Sequence, residues 1–384
     1  MSGFVAQGIR DLPPSGIRRF FDIASEMKDV VSLGVGEPDF VTPWHIREEA
    51  IFSLERRRTM YTENAGRPEL RREIARYMRE RFGLHYDPGA QVLVTVGASE
   101  GIDLAIRAIV NPGDEILVAE PCFVSYKPCV AMAGGVPVPL PTREENHFKI
   151  TADDIQAHIT PRTKAIMLSY PNNPTGAILE RPELEAIAAV LRDREIIVIS
   201  DEIYAELTYG ESPHVSIASL PGMAEKTIVL NGFSKAFAMT GWRLGWACGP
   251  AELIAAMTKI HQYIIMCAPT TAQYGGLEAL RNGADDVKAM RKEYDARRRF
   301  LLAGLRALGL PCFEARGAFY LFPSIRNFGM SSGEFCDRLL REQRLAVVPG
   351  TAFGACGEGY VRCSYAYSIE SLREALKRLR RFVM

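Results

Sequence analysis

No stretch of this chain approaches the roughly 20 apolar residues that a membrane-spanning helix needs. The first residues, MSGFVAQGIRDLPP, hold no apolar run of signal-peptide length. Net charge is missing as well, because 46 Lys and Arg balance 46 Asp and Glu. That balance gives no sign of a nucleic-acid partner or an anionic membrane surface. The eight cysteines are scattered without a CxxC pair, and the six histidines form no ligand-spaced cluster. A metal site is therefore not expected, and the cysteines read as reduced core residues of a cytoplasmic protein. Repeats and low-complexity tracts are absent. What remains is an ordinary globular composition in 384 residues, enough for two domains or one large α/β unit.

The segment up to about Pro43 is irregular and rich in Gly and Pro, with one short helical stretch, IRRFFDIASEM. Beyond it, apolar runs of strand length recur: QVLVTV (91–96), EILVA (115–119), AIMLSY (165–170), EIIVIS (195–200) and TIVLN (227–231). Helical patterns such as PELEAIAAVLRD (182–193) lie between several of them. This alternation predicts a mostly parallel sheet covered on both faces. Near Gly283 the texture changes to a long charged helix, MRKEYDARRRFLLAGLRALG. GAFYLFP, a helix near 332–344, RLAVVPG and a last helix, SIESLREALKRLRRF, then suggest a smaller α+β domain. The expected division is an arm over 1–42, a large domain over 43–283 and a small one over 284–384.

Ligands of open α/β sheets bind beyond the carboxyl ends of the strands, so the residues after each run are the candidates. Gly97-Ala98-Ser99 opens a helix after the first run, where free N–H groups and the helix dipole favour phosphate. Phe123 follows the second and offers a flat face for stacking. Asn173 lies in the turn PNNPTG after the third; ordinary turn chemistry explains it equally well. Asp201 follows the fourth. A buried carboxylate there is either a helix cap or the partner of a protonated pyridine nitrogen. Tyr204 is three residues further on. Ser234 and Lys235 follow the fifth, and Arg243 is close behind. Serine and arginine suit a phosphate, and a lysine among cations has the lowered pKa of a Schiff-base amine. Arg362, between apolar residues in GYVRCSYA, reads either as a structural salt bridge or as a fork for a substrate α-carboxylate.

GEPDFVTP (36–43), YTENAG (61–66), PNNPTG (171–176), SDEIY (200–204), SKAFAMTGWRLGW (234–246) and YVRCSYA (360–366) together resemble the class I aminotransferases. The likeness runs along nearly the whole chain in order. Within that family KEYDxRRR, GAFYxFPxIR and AVVPGxAFGxxGEGYVRxSYA look closest to archaeal-type aromatic aminotransferases, with likeness also to bacterial alanine and aspartate members. The resemblance implies pyridoxal phosphate (PLP) fold type I. That means a mostly parallel seven-stranded sheet in a large α/β/α domain that binds the cofactor. A smaller α+β domain completes it, and the arm lies at the active-site entrance.

The cofactor implied is pyridoxal 5′-phosphate, carried by Lys235, which also moves the proton. Asp201 would pair with the ring nitrogen, Tyr204 and Asn173 with the ring hydroxyl, and Phe123 with the ring face. Ala98, Ser99, Ser234 and Arg243 would hold the phosphate, helped by Tyr61 across the interface of a homodimer. Arg362, Asn173 and the Gly36 backbone would hold the α-carboxylate, with Ile17 nearby. Gly232 stands where some relatives have a phosphate-binding serine. The activity implied is ping-pong transfer of an amino group, through pyridoxamine phosphate, to a 2-oxo acid such as 2-oxoglutarate.

Fold alone does not decide the reaction. A C–S β-lyase on the same scaffold would release pyruvate without an acceptor. A PLP-binding regulator would carry an added DNA-binding domain, and no such segment or basic excess is visible. Aspartate-preferring members often have a lysine at the position of Ser99. Ile17, Tyr61, Phe123, Tyr263 and Tyr320 instead suggest an apolar or aromatic pocket, so a neutral donor is expected.

Overall fold

The computed structural model describes residues 4–12, 27–210 and 213–384. The helix expected from IRRFFDIASEM, all but its last residue, lies outside the described residues, and Ile17 with it. The strands, in chain order, are β1 (Val31–Ser32), β2 (Val92–Thr95), β3 (Glu115–Glu120), β4 (Val136–Pro141), β5 (Thr163–Ser169) and β6 (Ile197–Asp201). They continue with β7 (Thr227–Gly232), β8 (Gly245–Cys248), β9 (Tyr320–Leu321), β10 (Leu345–Ala346), β11 (Val348–Pro349) and β12 (Val361–Ser364).

Seven strands form one sheet in the order β2-β8-β7-β6-β5-β3-β4. Every neighbouring pair is parallel except the two that β8 makes, with β2 and with β7. Two reversals restore direction, so β2 runs with β7 and the carboxyl ends of β2, β3, β5, β6 and β7 share one rim. Two of the seven strands go beyond the five apolar runs. β4 reads VPVPLP, and a proline at every second residue argues against a strand. Its place at the sheet edge removes the objection, since only one side of it pairs and the missing N–H groups leave no ladder broken. β8 is four residues long and antiparallel, inside a segment that reads locally as a turn.

Both faces of the sheet are covered, which is why its central strands read as continuous apolar runs. On one face Leu93, Ile116, Val118, Ile199, Ile228 and Leu230 pack with Ile102, Ala105 and Ile106 of the helix Gly97–Ile109. On the other, Val92, Val94, Val229 and Trp246 meet Leu70, Ile74 and Met78 of the helix Pro68–Phe82, and Leu277 and Leu280 of the helix Thr270–Asn282. The helix Pro68–Phe82 starts on a proline and stops at Gly83, whose φ of +69° is the left-handed form that ends helices.

Gly283 separates the helix Thr270–Asn282 from the 24-residue helix Ala284–Ala307. Beyond it, β11, β12 and β9 form an antiparallel three-stranded sheet, and β1 pairs with β10. The helices Ser332–Gln343 and Ile369–Val383 begin on Ser331 and Ser368, each accepting a backbone N–H three residues on. Their apolar faces, with Leu301 and Leu305, close around Phe319 and Leu321. This cluster reaches Tyr204 and Tyr209 just past β6. The carboxyl rim of the large sheet therefore faces the three-stranded sheet, and the candidate residues lie between them. No described helix is long and apolar enough to cross a membrane.

Candidate active site

The cleft at this junction encloses about 270 Å³. It is lined by Gly36, Ala98, Ser99, Phe123, Asn173, Asp201, Tyr204, Ser234, Lys235, Arg243, Tyr320 and Arg362. Eight segments far apart in sequence thus converge, five of them the strand ends that the sequence singled out. A more open groove of about 510 Å³ is larger, but it is lined wholly by residues between Arg72 and Pro88 and holds none of the candidates. Tyr61 and Tyr263 do not line this cleft and are 77 % and 82 % exposed.

Lys235 stands at the end of the turn that follows β7, and its amine donates to the Gly36 carbonyl at 2.7 Å. Burial pulls its pKa down from 10.5 to about 8; the Glu37 charge opposes this, and the Arg362 and Arg243 charges add to it. An amine so placed is partly neutral near physiological pH, which a nucleophile or proton carrier requires.

Asp201, the last residue of β6, is 4 % exposed. Its Oδ2 accepts the Tyr126 hydroxyl at 2.7 Å and its Oδ1 the Ile203 N–H at 3.2 Å. Burial raises its pKa to about 6, and these hydrogen bonds keep it from rising further. Glu202 is also buried, but its carboxylate meets Ser200, Ser216 and His214. Of the adjacent acids only Asp201 lines the cleft.

Arg362, on β12, is buried and pairs with no carboxylate among the described residues. Its Nη1 donates to Asn173 Oδ1 at 2.8 Å and its Nη2 to the Gly34 carbonyl at 2.5 Å, while Nε has no partner. The guanidinium lies over the rings of Tyr320 and Phe353, 4.5 and 4.8 Å from their centroids. The salt-bridge alternative for this residue therefore fails. A buried cation without an anion is costly, and a ligand carboxylate would relieve it.

At the other end of the cleft the helix Gly97–Ile109 presents its amino terminus. Gly97 has a φ of +73°, and a Cβ there would lie 2.6 Å from Arg243 Nη2, so only glycine lets the arginine approach. The Glu100 carboxylate ties down this turn from behind, accepting the Val96 N–H at 2.5 Å and meeting His261 Nδ1 at 2.7 Å. Gly232 faces Gly245 across β7 and β8. A Cβ on Gly232 would lie 2.9 Å from Gly245 Cα and 3.0 Å from the Leu244 carbonyl, so the serine of some relatives does not fit this chain.

Five lining residues escaped the sequence reading: Ile102, Tyr126, Ser169, Ile203 and Thr240. Tyr126 sits three residues past Phe123, and its hydroxyl lies 2.8 Å from Ser169 Oγ as well as touching Asp201. Ser169 is set opposite Asp201 by the β5–β6 register. That pairing is non-local, and no local pattern signals it.

A carboxylate this deep, with no cation bonded to it and an amine beside it, suits a ligand that brings its own positively charged ring nitrogen and a carbonyl. The family model of the class I and II aminotransferases matches residues 28–379, and the chain belongs to that family. It is 54% identical to the provisionally named aminotransferase YugH of Bacillus subtilis over all of this chain and 99% of that one. It is 47% identical to an aspartate aminotransferase of Pyrococcus abyssi over 95% of each chain. Among solved structures, an aromatic aminotransferase of Pyrococcus horikoshii superimposes with a TM-score of 0.91 at 45% identity, covering 94% of this chain and 98% of that one. The fold is PLP fold type I. The enzyme is a transaminase of amino and 2-oxo acids, and pyridoxal 5′-phosphate is its cofactor.

Proposed function

We propose that this aminotransferase draws its amino group from an aromatic or other neutral amino acid and passes it to 2-oxoglutarate by ping-pong. One observation carries the donor assignment. The cations lining the cleft among the described residues are Lys235, Arg243 and Arg362. These suit the cofactor carbonyl, its phosphate and the substrate α-carboxylate, which leaves none for the side-chain carboxylate of aspartate. Ser99 supplies no charge, and Phe123 and Tyr320 favour an apolar or aromatic group. 2-Oxoglutarate carries its second carboxylate one carbon further out than aspartate does. The test is kcat/KM for Phe, Tyr, Ala and Asp with 2-oxoglutarate as acceptor. A neutral donor should exceed Asp, and a higher value for Asp than for every neutral donor refutes the reading.

The geometry suggests the work of each residue. Arg362 and Asn173 grip the α-carboxylate, which sets the α-carbon near Lys235. The Lys235 amine, with its pKa near 8, is placed to move the proton of the α-carbon. Asp201, ionised above about pH 6, would hold the protonated ring nitrogen of the cofactor. Tyr204 would donate to the ring oxygen and Phe123 would offer its face to the ring. Ser234, Arg243, Ser99 and the Ala98 N–H would hold the phosphate at the helix terminus. The bound cofactor supplies the electron sink for the pair left at the α-carbon.

The same reading makes the enzyme a homodimer of the cytoplasm, with Tyr61 reaching the neighbouring site. Met60, Tyr61, Tyr263, Ile264 and Ile265 are exposed apolar side chains. Their segments adjoin, since Thr270 Oγ1 donates to the Met60 carbonyl and Asn64 Nδ2 to that of Met266. An exposed apolar patch of this kind supports pairing with a second copy, for which C2 symmetry is the common form. All eight cysteines are free, as a reducing compartment would keep them. The proposed division is an arm over 1–42, a cofactor-binding domain over 43–283 and a small domain over 284–384, supported by the break at Gly283.

A further inference from the structure

Tyr320 joins parts of the cleft that have separate tasks. It lies on β9, is 1 % exposed, and its hydroxyl is 2.8 Å from that of Tyr204. The face of its ring carries the Arg362 guanidinium at 4.5 Å. Pairing of Ser364 with Tyr320 sets β9 beside β12, the strand of Arg362. Gly36, whose carbonyl takes the Lys235 amine, has no room for a side chain because Tyr320 fills it: a Cβ there would lie 2.3 Å from the Tyr320 oxygen.

We propose that Tyr320 is a positioning residue with two separable parts: its hydroxyl orients and polarises the Tyr204 hydroxyl, and its ring sets the Arg362 guanidinium. The inference rests on the reading that Tyr204 donates to the ring oxygen and Arg362 takes the α-carboxylate. A phenol has one proton. If Tyr204 donates to the cofactor, the proton between the two hydroxyls must come from Tyr320. Accepting that bond makes Tyr204 a stronger donor, since hydrogen bonds in a chain polarise one another. A stronger donor withdraws charge from the ring oxygen, and the oxygen then holds a proton less tightly on the nearby Lys235 nitrogen. The ring acts differently. An aromatic face under a desolvated guanidinium attracts it and prevents its tilt, whatever the hydroxyl does.

The two parts come apart in two variants of the cofactor-loaded enzyme. In Tyr320→Phe the pH at which the cofactor band titrates should rise by roughly a few tenths of a unit. KM for the amino donor should stay within about twofold, because the ring remains. In Tyr320→Leu the same titration shift should appear and KM should rise by roughly fivefold, the ring face being gone. Tyr204→Phe is the control for the underlying reading. It should raise the titration further, and adding Tyr320→Phe to it should change nothing more. Should Tyr204→Phe leave the titration in place, the role of Tyr204 falls, and this proposal with it. Should it shift while Tyr320→Phe matches the wild type or moves downward, only the hydroxyl role of Tyr320 is overturned. A KM in Tyr320→Phe as high as in Tyr320→Leu overturns the role of the ring. If Tyr320→Leu does not fold, the near-isosteric Phe variant still decides the hydroxyl role, and Tyr320→Met, which also removes the aromatic face, replaces Leu with the same rise in KM expected.

Discussion

Asp201→Asn should make the cofactor-free protein more stable while destroying its grip on the cofactor. Burial lifts the carboxyl pKa from 3.8 to about 6. At about 1.4 kcal/mol per unit, keeping this group ionised costs the fold roughly 3 kcal/mol above pH 6. Asparagine removes the charge. It also puts an amide nitrogen against one of two donors, Tyr126 or Ile203, and loses one hydrogen bond of about 1 kcal/mol. The net gain should be about 1–2 kcal/mol at pH 7.5. Because the folded pKa is raised, the contribution of the neutral carboxyl is complete below pH 3.8 and is lost as pH rises through about 6. The advantage of Asn should therefore be small near pH 4 and complete by about pH 7. Urea unfolding of both cofactor-free proteins across this range measures it. With saturating cofactor the order should reverse, since the ligand stabilises only a protein that binds it. An Asn variant no more stable than wild type at pH 7.5, or an advantage that does not change between the two ends of the range, refutes the argument.

Lys235→Ala should lose turnover and the absorbance of roughly 360–430 nm expected of a lysine-held cofactor, and full activity in it would sink the assignment. Mixing inactive Tyr61→Ala and Lys235→Ala subunits should restore part of the activity, because one site of the heterodimer would be intact; no rescue between exchanging subunits refutes the shared site. Light scattering should show about twice the 42.6 kDa chain mass. Gly232→Ser should destabilise by about 1–3 kcal/mol through crowding of β8 rather than improve cofactor binding; tighter binding with an unchanged melting temperature would contradict this.

How much of this was legible depends on how local the cause is. The five central strands could be read because both their faces are buried, which leaves an unbroken apolar run in each. Candidate residues could be read in turn because a parallel sheet gathers its ligands at strand ends, so Asp201, Lys235 and Ser99 declare themselves by what precedes them. Arg362 was harder. Its sequence allows a salt bridge as readily as an open fork, and only the packed structure shows Asn173 and Gly34 rather than a carboxylate beside it. β4 and β8 escaped for a similar reason. A proline-rich strand is tolerable only at an edge, and a four-residue antiparallel strand only between two partners; both conditions concern neighbours, not composition.

Alone, the chain determined the kinds of groups available: a lysine after a small-residue turn, a carboxylate following an apolar run, and a glycine opening a helix after a strand. Tertiary structure decided their states. Tyr126 came to Asp201 through a helix the motif does not include, Tyr320 came to Tyr204 from 116 positions away, and Lys235 acquired a pKa near 8 from burial and from arginines on other elements. Residue type is written locally, but desolvation and charge proximity are properties of the assembled interior. Chemical capacity was therefore visible in the sequence, and reactivity appeared only once the strands were side by side.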